Sequence, residues 1–144
     1  MHEILYWEDV VEGQQLPQLV KRPSTRQLVM YAGASGDFYE VHYDKDFAIE
    51  IGLSGLIVHG ALKNAYLAQV VTDWMGVGGV VKKLSVKYRG TDVPDDTLTC
   101  SGRVTKTYVN EEMHQVDCVL MLSNSRGEQT TTGTATVVLP SRGS

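Results

Sequence analysis

The chain has 144 residues, of which 42% are hydrophobic and 21% charged. This length and balance are typical of one soluble domain with a substantial core, so we predict a single domain over residues 1–144. The net charge of −4 argues against a nucleic-acid surface, which needs clustered Lys and Arg. Because no run of about 18 apolar residues occurs and the N-terminus lacks the features of a secretory signal, we expect a cytoplasmic protein that does not span a membrane.

The first part of the chain is predicted to contain an arm and a helix. Residues 1–23 form the arm, with one strand over residues 17–22 at a sheet edge, where a proline is tolerated. Ser24 or Thr25 then caps a helix over residues 26–34. The apolar positions of this helix at helical spacing are Leu28, Val29 and Ala32.

The middle of the chain combines a loop with two helical patterns. Residues 37–43 are predicted to form the loop, and residues 44–51 a short helix closed by Gly52. Residues 59–74 form the longest helical pattern, with small and large apolar residues on more than one face. A helix of this kind is largely buried, and at 1.5 Å per residue it spans about 24 Å, enough to cross a small sheet.

The remaining sequence changes from a helical to an alternating pattern, which predicts strands. We expect four long strands, paired in succession as an antiparallel meander, over residues 80–89, 97–108, 113–123 and 129–139. With the edge strand, the result is an α+β fold of one long buried helix and a bent sheet of about five strands. Because one helix cannot cover both faces of such a sheet, we predict that a second copy covers the rest in a symmetric dimer; a non-identical partner stays open.

The chain has two cysteines, Cys100 and Cys118, which lie in separate predicted strands without CxxC spacing. A structural disulfide is not needed in a chain of this size. We therefore predict reduced core thiols, with a disulfide between the two as the alternative.

A carboxylate and an imidazole lie five positions apart in the predicted loop, at Asp37 and His42. Loops that contain glycine and lie between helices often carry functional groups. A carboxylate and an imidazole that converge on one water can orient it, accept its proton and return that proton to a substrate. The alternative is structural: an Asp that caps a helix and a His that fills a half-buried position.

The dipeptide His59-Gly60 stands at the start of the longest helix. A glycine at a helix start lets a ligand approach the free N–H groups, which can stabilise a developing enolate oxygen. This chemistry needs the amide of Gly60 and not an imidazole. For His59 itself, spacing alone therefore favours a capping or hydrogen-bonded core histidine.

Two further polar clusters are weaker candidates for ligand sites. The alternating side chains Glu40, His42, Asp44 and Asp46 lack the spacing, central glycine and terminal Glu of a calcium loop and any zinc motif, so we expect no metal. A basic stretch is interpreted as a solvated strand face, across which a phosphate-bearing ligand tail could also lie; it comprises Lys82, Lys83, Lys87 and Arg89.

The sequence around these motifs resembles the MaoC-like family of (R)-specific enoyl-CoA hydratases and dehydratases. The resemblance rests on Ser35-Gly36-Asp37 followed by His42, and on Ile57-Val58-His59-Gly60 at the family's separation. It extends through the segments Leu84-Ser-Val-Lys-Tyr-Arg89 and Asp96-Thr-Leu-Thr99, and covers roughly residues 5–140 by pattern.

The resemblance implies a hotdog fold, in which a curved antiparallel sheet wraps the long helix, and a dimer with sites near the subunit interface. It also implies a hydro-lyase that reversibly hydrates trans-2-enoyl-CoA to (R)-3-hydroxyacyl-CoA in fatty acid metabolism, without a metal or redox cofactor. Asp37 and His42 would be the catalytic pair that activates water. Gly60 would bind the thioester oxygen through its amide, and Tyr39 and His59 would also contact the acyl-CoA substrate.

The chain departs from the family pattern in several places. Tyr39-Glu40 stands where Asn-Pro is usual, which leaves the acyl group undefined, and Ala68 replaces a frequent hydroxyl residue. Lys63 and Asn64 are unusual polar residues within the central helix. Two alternatives stay open: an auxiliary subunit of a hetero-oligomeric hydratase, and an acyl-CoA thioesterase on the same fold.

Overall fold

The computed structural model describes residues 3–143; Met1, His2 and Ser144, at the two ends of the predicted domain, lie outside the described residues. Within residues 3–143 the chain forms three α-helices, which are α1 (Thr25–Ser35), α2 (Lys45–Glu50) and α3 (Gly60–Met75). The same range contains five strands, which are β1 (Gln15–Lys21), β2 (Val80–Tyr88), β3 (Leu98–Asn110), β4 (Met113–Ser123) and β5 (Gln129–Val138). The predicted α+β class is confirmed.

The strands form one antiparallel sheet in the order β1-β3-β4-β5-β2. The predicted meander is correct for β3, β4 and β5, and the first strand lies at an edge as expected. The prediction is wrong for β2, which pairs with β5 and not with β3, for example through Leu84 and Ala135. Alternation identifies a strand from its own residues but does not identify its partner. The segment between β2 and β3 is therefore not the predicted hairpin turn but a connection that crosses the sheet.

Helix α3 packs against all five strands. Its buried apolar side chains are Leu62, Tyr66, Leu67, Val70 and Val71, and they meet the inward-facing residues of β4, which include Val116, Cys118, Leu120 and Leu122. Register shifts interrupt the ladders between β1 and β3, β2 and β5, β3 and β4, and β4 and β5. Such bulges bend strands and help the sheet to curve around the helix. The predicted burial of this helix is confirmed.

Helix α1 begins where the sequence predicted, because Ser24 Oγ accepts a hydrogen bond from the Gln27 amide at 3.1 Å and satisfies one of the free N–H groups. Leu28 and Ala32 face the core, whereas Val29 is 55% exposed. Successive helical residues point about 100° apart, so a residue next to Leu28 is turned away from the core. The helix ends at Gly36, whose φ of 78° is in the left-handed region that glycine adopts most readily.

Cys100 and Cys118 are both buried and unbridged, which confirms the prediction of reduced core thiols. Burial raises the pKa of Cys100 to about 11 and that of Cys118 to about 12. None of the helices within residues 3–143 has the length and apolar character needed to cross a membrane.

Candidate active site

Asp37 lies directly after the end of α1, and local hydrogen bonds hold it there. Its amide donates to Ser35 Oγ at 3.2 Å, and its Oδ1 is 3.4 Å from the donating Tyr39 amide. These contacts turn the second carboxylate oxygen, Oδ2, towards His42. The side chain is 47% exposed, so solvent and ligands can reach it.

His42 ends a short 3-10 turn over Glu40–His42, within the segment predicted as loop, and it is only 6% exposed. Its Nδ1 lies 2.8 Å from the Ile57 carbonyl oxygen. Because a carbonyl only accepts, we assign the proton to Nδ1, which leaves Nε2 as the acceptor. Nε2 lies 3.7 Å from Asp37 Oδ2, a distance too long for a direct hydrogen bond but short enough for one water to contact both atoms.

His59 is the residue immediately before α3, and its side chain is completely buried. Its ring stacks on that of His42 with centroids 3.7 Å apart and planes at 22°, and it meets the edge of Tyr31 at 4.8 Å. The expected capping or hydrogen-bonded histidine is not found: the side chain makes no cap bond, and neither ring nitrogen makes a hydrogen bond of acceptable geometry to the described residues. The sequence could not show this stack, because it joins two loops.

The ring of His59 is held neutral by its surroundings. Burial lowers its pKa below the usual 6.5, and the neighbouring His42 lowers it further, whereas the carboxylate and backbone of Asp37 act in the opposite direction. The Asp37 backbone raises the pKa of His59 although it makes no hydrogen bond to either ring nitrogen. At neutral pH the site therefore contains one exposed carboxylate beside two stacked imidazoles, of which His59 is uncharged.

Ligand atoms of Asp37, His42 and His59 lie within 4.8 Å of one another, so these three could be considered for a metal. An imidazole binds a metal in its own plane at about 2.1 Å. Two rings stacked nearly parallel cannot both contain the same ion in their planes, so the arrangement as placed suits a water and does not suit a shared ion. Among residues 3–143, the alternating carboxylates considered from sequence do not form such a group; Asp44 caps α2 instead.

Gly60 is the first residue of α3, where backbone N–H groups have no partner within the helix. A Cβ built on Gly60 would lie 3.1 Å from Cζ of Tyr88, so the phenol ring packs directly on this glycine. Tyr88 is 52% exposed, and burial of its inner part together with Tyr31 raises its pKa. Neither tyrosine was predicted to lie at the site, because the local pattern identifies Tyr31 only as a helix residue and Tyr88 only as a strand residue.

Tyr39 lies beside the pair on the exposed side. Its ring is edge-on to His42 at 6.3 Å and to Phe47 at 6.0 Å, and the residue is 52% exposed. The structure thus brings together all five residues that the sequence singled out: Asp37, Tyr39, His42, His59 and Gly60. Their roles stay predictions.

The basic stretch borders two surface depressions on β2 and its continuation. Lys87 and Arg89 line one surface depression with Thr132 and Thr134, and Arg89 Nε donates to Thr132 Oγ1 at 3.0 Å. Lys82 and Lys83 line a separate depression with Tyr108 and Gln115. A phosphate-bearing ligand tail across this stretch stays a prediction.

Comparison with known proteins adds to this geometry. Residues 10–124 match the family described as MaoC like domain. The chain is 32% identical over 134 residues to the 3-oxo-4,17-pregnadiene-20-carboxyl-CoA hydratase beta subunit of Mycobacterium tuberculosis, covering 93% of this chain and 98% of that one. It is 28% identical over 141 residues to the (R)-specific enoyl-CoA hydratase of Rhodospirillum rubrum, covering 96% and 94%. The solved (R)-hydratase from A. caviae superposes with a TM-score of 0.81 at 25% identity, covering 92% and 99% of the two chains, and the expected hotdog fold is confirmed.

Proposed function

Because the chain belongs to the family of MaoC-like domains, we propose that it is an (R)-specific enoyl-CoA hydratase/3-hydroxyacyl-CoA dehydratase, a hydro-lyase acting on acyl thioesters. The observation that carries the proposal is the 3.7 Å separation of Asp37 Oδ2 and His42 Nε2 beside the N-terminus of α3. We propose that one water is held between these atoms and that the Gly60 amide stabilises the negative oxygen that develops on the substrate.

In the hydration direction, the water oxygen forms a bond to C3 of the enoyl thioester while its proton passes to the Asp37–His42 pair. The π electrons of the C2–C3 bond move to the thioester, and the Gly60 amide donates to the resulting enolate oxygen. A proton from the pair then reaches C2, so that H and OH have been added and no group of the enzyme is consumed. The proposed chemistry uses no metal or redox cofactor.

The orientation of His42 supports this role. The Ile57 carbonyl holds the proton on Nδ1, which presents the lone pair of Nε2 to the water. His59 and Tyr39 form the face and the outer edge of this small site, where we propose that they contact the substrate. Because Tyr39 stands at the open side, it contributes to the choice of acyl group.

The proposal is tested by the loss of ultraviolet absorbance of crotonyl-CoA and of longer and ring-bearing enoyl-CoAs. We expect Asp37→Asn and His42→Ala each to lower kcat by about two to four powers of ten, with far-ultraviolet circular dichroism unchanged. Chiral analysis of the 3-hydroxy product should give the R enantiomer. Full activity in both variants, or release of free CoA thiol in place of hydration, would contradict the proposal.

A related alternative is that the chain works as one subunit of a hetero-oligomeric hydratase. It is favoured by the 32% identity to a protein named as a beta subunit. Large apolar side chains also surround the site on the outside, among them Phe38, Tyr39 and Tyr88, and an exposed apolar area is typical of an interface.

We propose a homodimer in the cytoplasm as the simplest assembly. Light scattering of the purified chain, combined with its activity alone, distinguishes the two: an inactive monomer would indicate a missing partner.

A further inference from the structure

An ion pair is buried next to the start of α3. Lys63 and Asp92 are each 2% exposed, and Lys63 Nζ donates to Asp92 Oδ2 at 3.0 Å and to the Gly90 carbonyl at 3.1 Å. Asp92 Oδ2 also accepts a short hydrogen bond from Thr130 Oγ1 on β5. The pair thus joins the central helix to the connector between β2 and β3, and the connector to β5.

Stability does not explain this pair. Removing two charges from water costs several kcal/mol for each ion, and apolar residues in their place are often as stable or more stable. Lys63 lies in the first turn of α3, where the helix dipole disfavours a cation. In addition, Asp92 Oδ1 is buried without a hydrogen-bond partner among the described residues. These costs indicate that the ion pair contributes to the geometry of the connector and not to stability.

The connector contacts the segment that carries half of the candidate site. The Asp92 carbonyl accepts from the Val58 amide at 2.8 Å. Val58 lies between Ile57, whose carbonyl orients His42, and His59, whose ring stacks on His42. On the other side, the Ile57 amide donates to the Val41 carbonyl at 3.1 Å. Residues 57–60 are therefore held between the connector and the turn that carries His42.

We propose that Lys63 and Asp92 are positioning residues, which fix the connector so that residues 57–60 keep their place against His42. Through Val58, the pair sets the Ile57 carbonyl that orients the base, the stacked ring of His59 and the amide of Gly60. The expected effect on rate rests on the proposed hydratase activity, whereas the effect on the geometry of residues 57–60 does not.

The test uses the double variant Lys63→Met/Asp92→Leu, which removes both charges and refills their volume, so that no buried charge is left unpaired. We expect its Tm to stay within a few degrees of the wild type. We expect kcat on crotonyl-CoA to fall at least tenfold with KM changed less than threefold. Amide hydrogen exchange at Val58 and exchange of the His42 Nδ1 proton, both followed by NMR, should become at least tenfold faster.

Two further variants make the result decisive. Thr130→Val is nearly isosteric and leaves no charge unpaired, so it should fold even if the double variant does not. We expect its kcat to fall about threefold and both exchange rates to rise about threefold. As a matched control, Arg126→Gln/Glu128→Gln removes a surface ion pair whose side chains are 72% and 58% exposed, and it should leave kcat and exchange unchanged.

Wild-type kcat and wild-type exchange in the folded double variant, or in Thr130→Val, would overturn the positioning role. If the wild-type chain hydrates no enoyl-CoA, the proposed function fails. In that case, exchange at Val58 and His42 decides the positioning role by itself.

Discussion

The rings of His42 and His59 stack face to face with centroids 3.7 Å apart, although the two residues come from different loops. The orientation of the proposed base therefore depends on packing as well as on the hydrogen bond to Ile57. Replacing the fully buried His59 by alanine leaves a cavity beneath His42. We expect the free energy of unfolding to fall by about 2 kcal/mol and kcat to fall at least tenfold.

Urea unfolding and hydratase kinetics check this expectation. His114→Ala is the matched control, since it removes another histidine that packs edge-on against an aromatic ring, Trp7, at 5.0 Å. Its kcat should equal that of the wild type. An active His59→Ala protein with unchanged kcat would show that the stack does not orient His42.

The buried His59 should make stability depend on pH. Its pKa in the folded chain is lowered from the usual 6.5 by burial and by His42, so the unfolded chain takes up its proton first as pH falls. Well above pH 6.5, His59 should therefore not make the free energy of unfolding depend on pH. Below that value the free energy of unfolding should decrease by up to about 1.4 kcal/mol per pH unit, until the folded chain also takes up the proton. Thermal unfolding between pH 8 and pH 5 measures the slope, which should be shallower in His59→Gln.

Gly60 is predicted to be needed for access to the α3 amide and not for folding. A Cβ at this position would come within 3.1 Å of the Tyr88 ring, but that ring is half-exposed and can shift by the few tenths of an ångström required. Gly60→Ala should therefore change the free energy of unfolding by less than about 1 kcal/mol. Its kcat/KM should fall at least tenfold, because the methyl group obstructs the approach of the thioester oxygen. A variant with unchanged kcat/KM would exclude this amide as the oxyanion donor.

The two cysteines should be unreactive while the chain is folded. Burial raises their pKa values to about 11 and about 12, so very little thiolate forms at pH 8, and the thiolate is the nucleophile. A thiol reagent should modify neither Cys100 nor Cys118 in native protein, and both in urea. Rapid modification of either residue under native conditions would contradict their burial.

The helices and most of the site could be predicted from sequence because their signals are local. Ser24 precedes an apolar pattern at helical spacing, Gly36 ends it, and the next polar residue, Asp37, is therefore held at a helix end. The His59-Gly60 dipeptide likewise identified the start of α3 within one residue.

The features that were not predicted depend on residues far apart in the chain. The pairing of β2 with β5 joins residues far apart in the chain, such as Leu84 and Ala135, which are 51 positions apart, and no local pattern specifies it. The partner of Lys63 is Asp92, 29 residues later, on a connector for which the sequence predicts only a turn. Polar residues in an apolar helix were the available signal, but the sequence could not identify the partner.

The crossing of β2 to the far edge of the sheet has a consequence for synthesis on the ribosome. Among residues 3–143, strand β2 pairs with β5 alone, and Thr130 of β5 also secures the connector at Asp92. A nascent chain that has emerged only as far as β4 contains Asp37, His42 and Gly60, yet it lacks the strand that completes the sheet. We expect truncated chains of this length to bind chaperones and to be inactive, so that the proposed hydratase activity begins only after the last strand has left the exit tunnel.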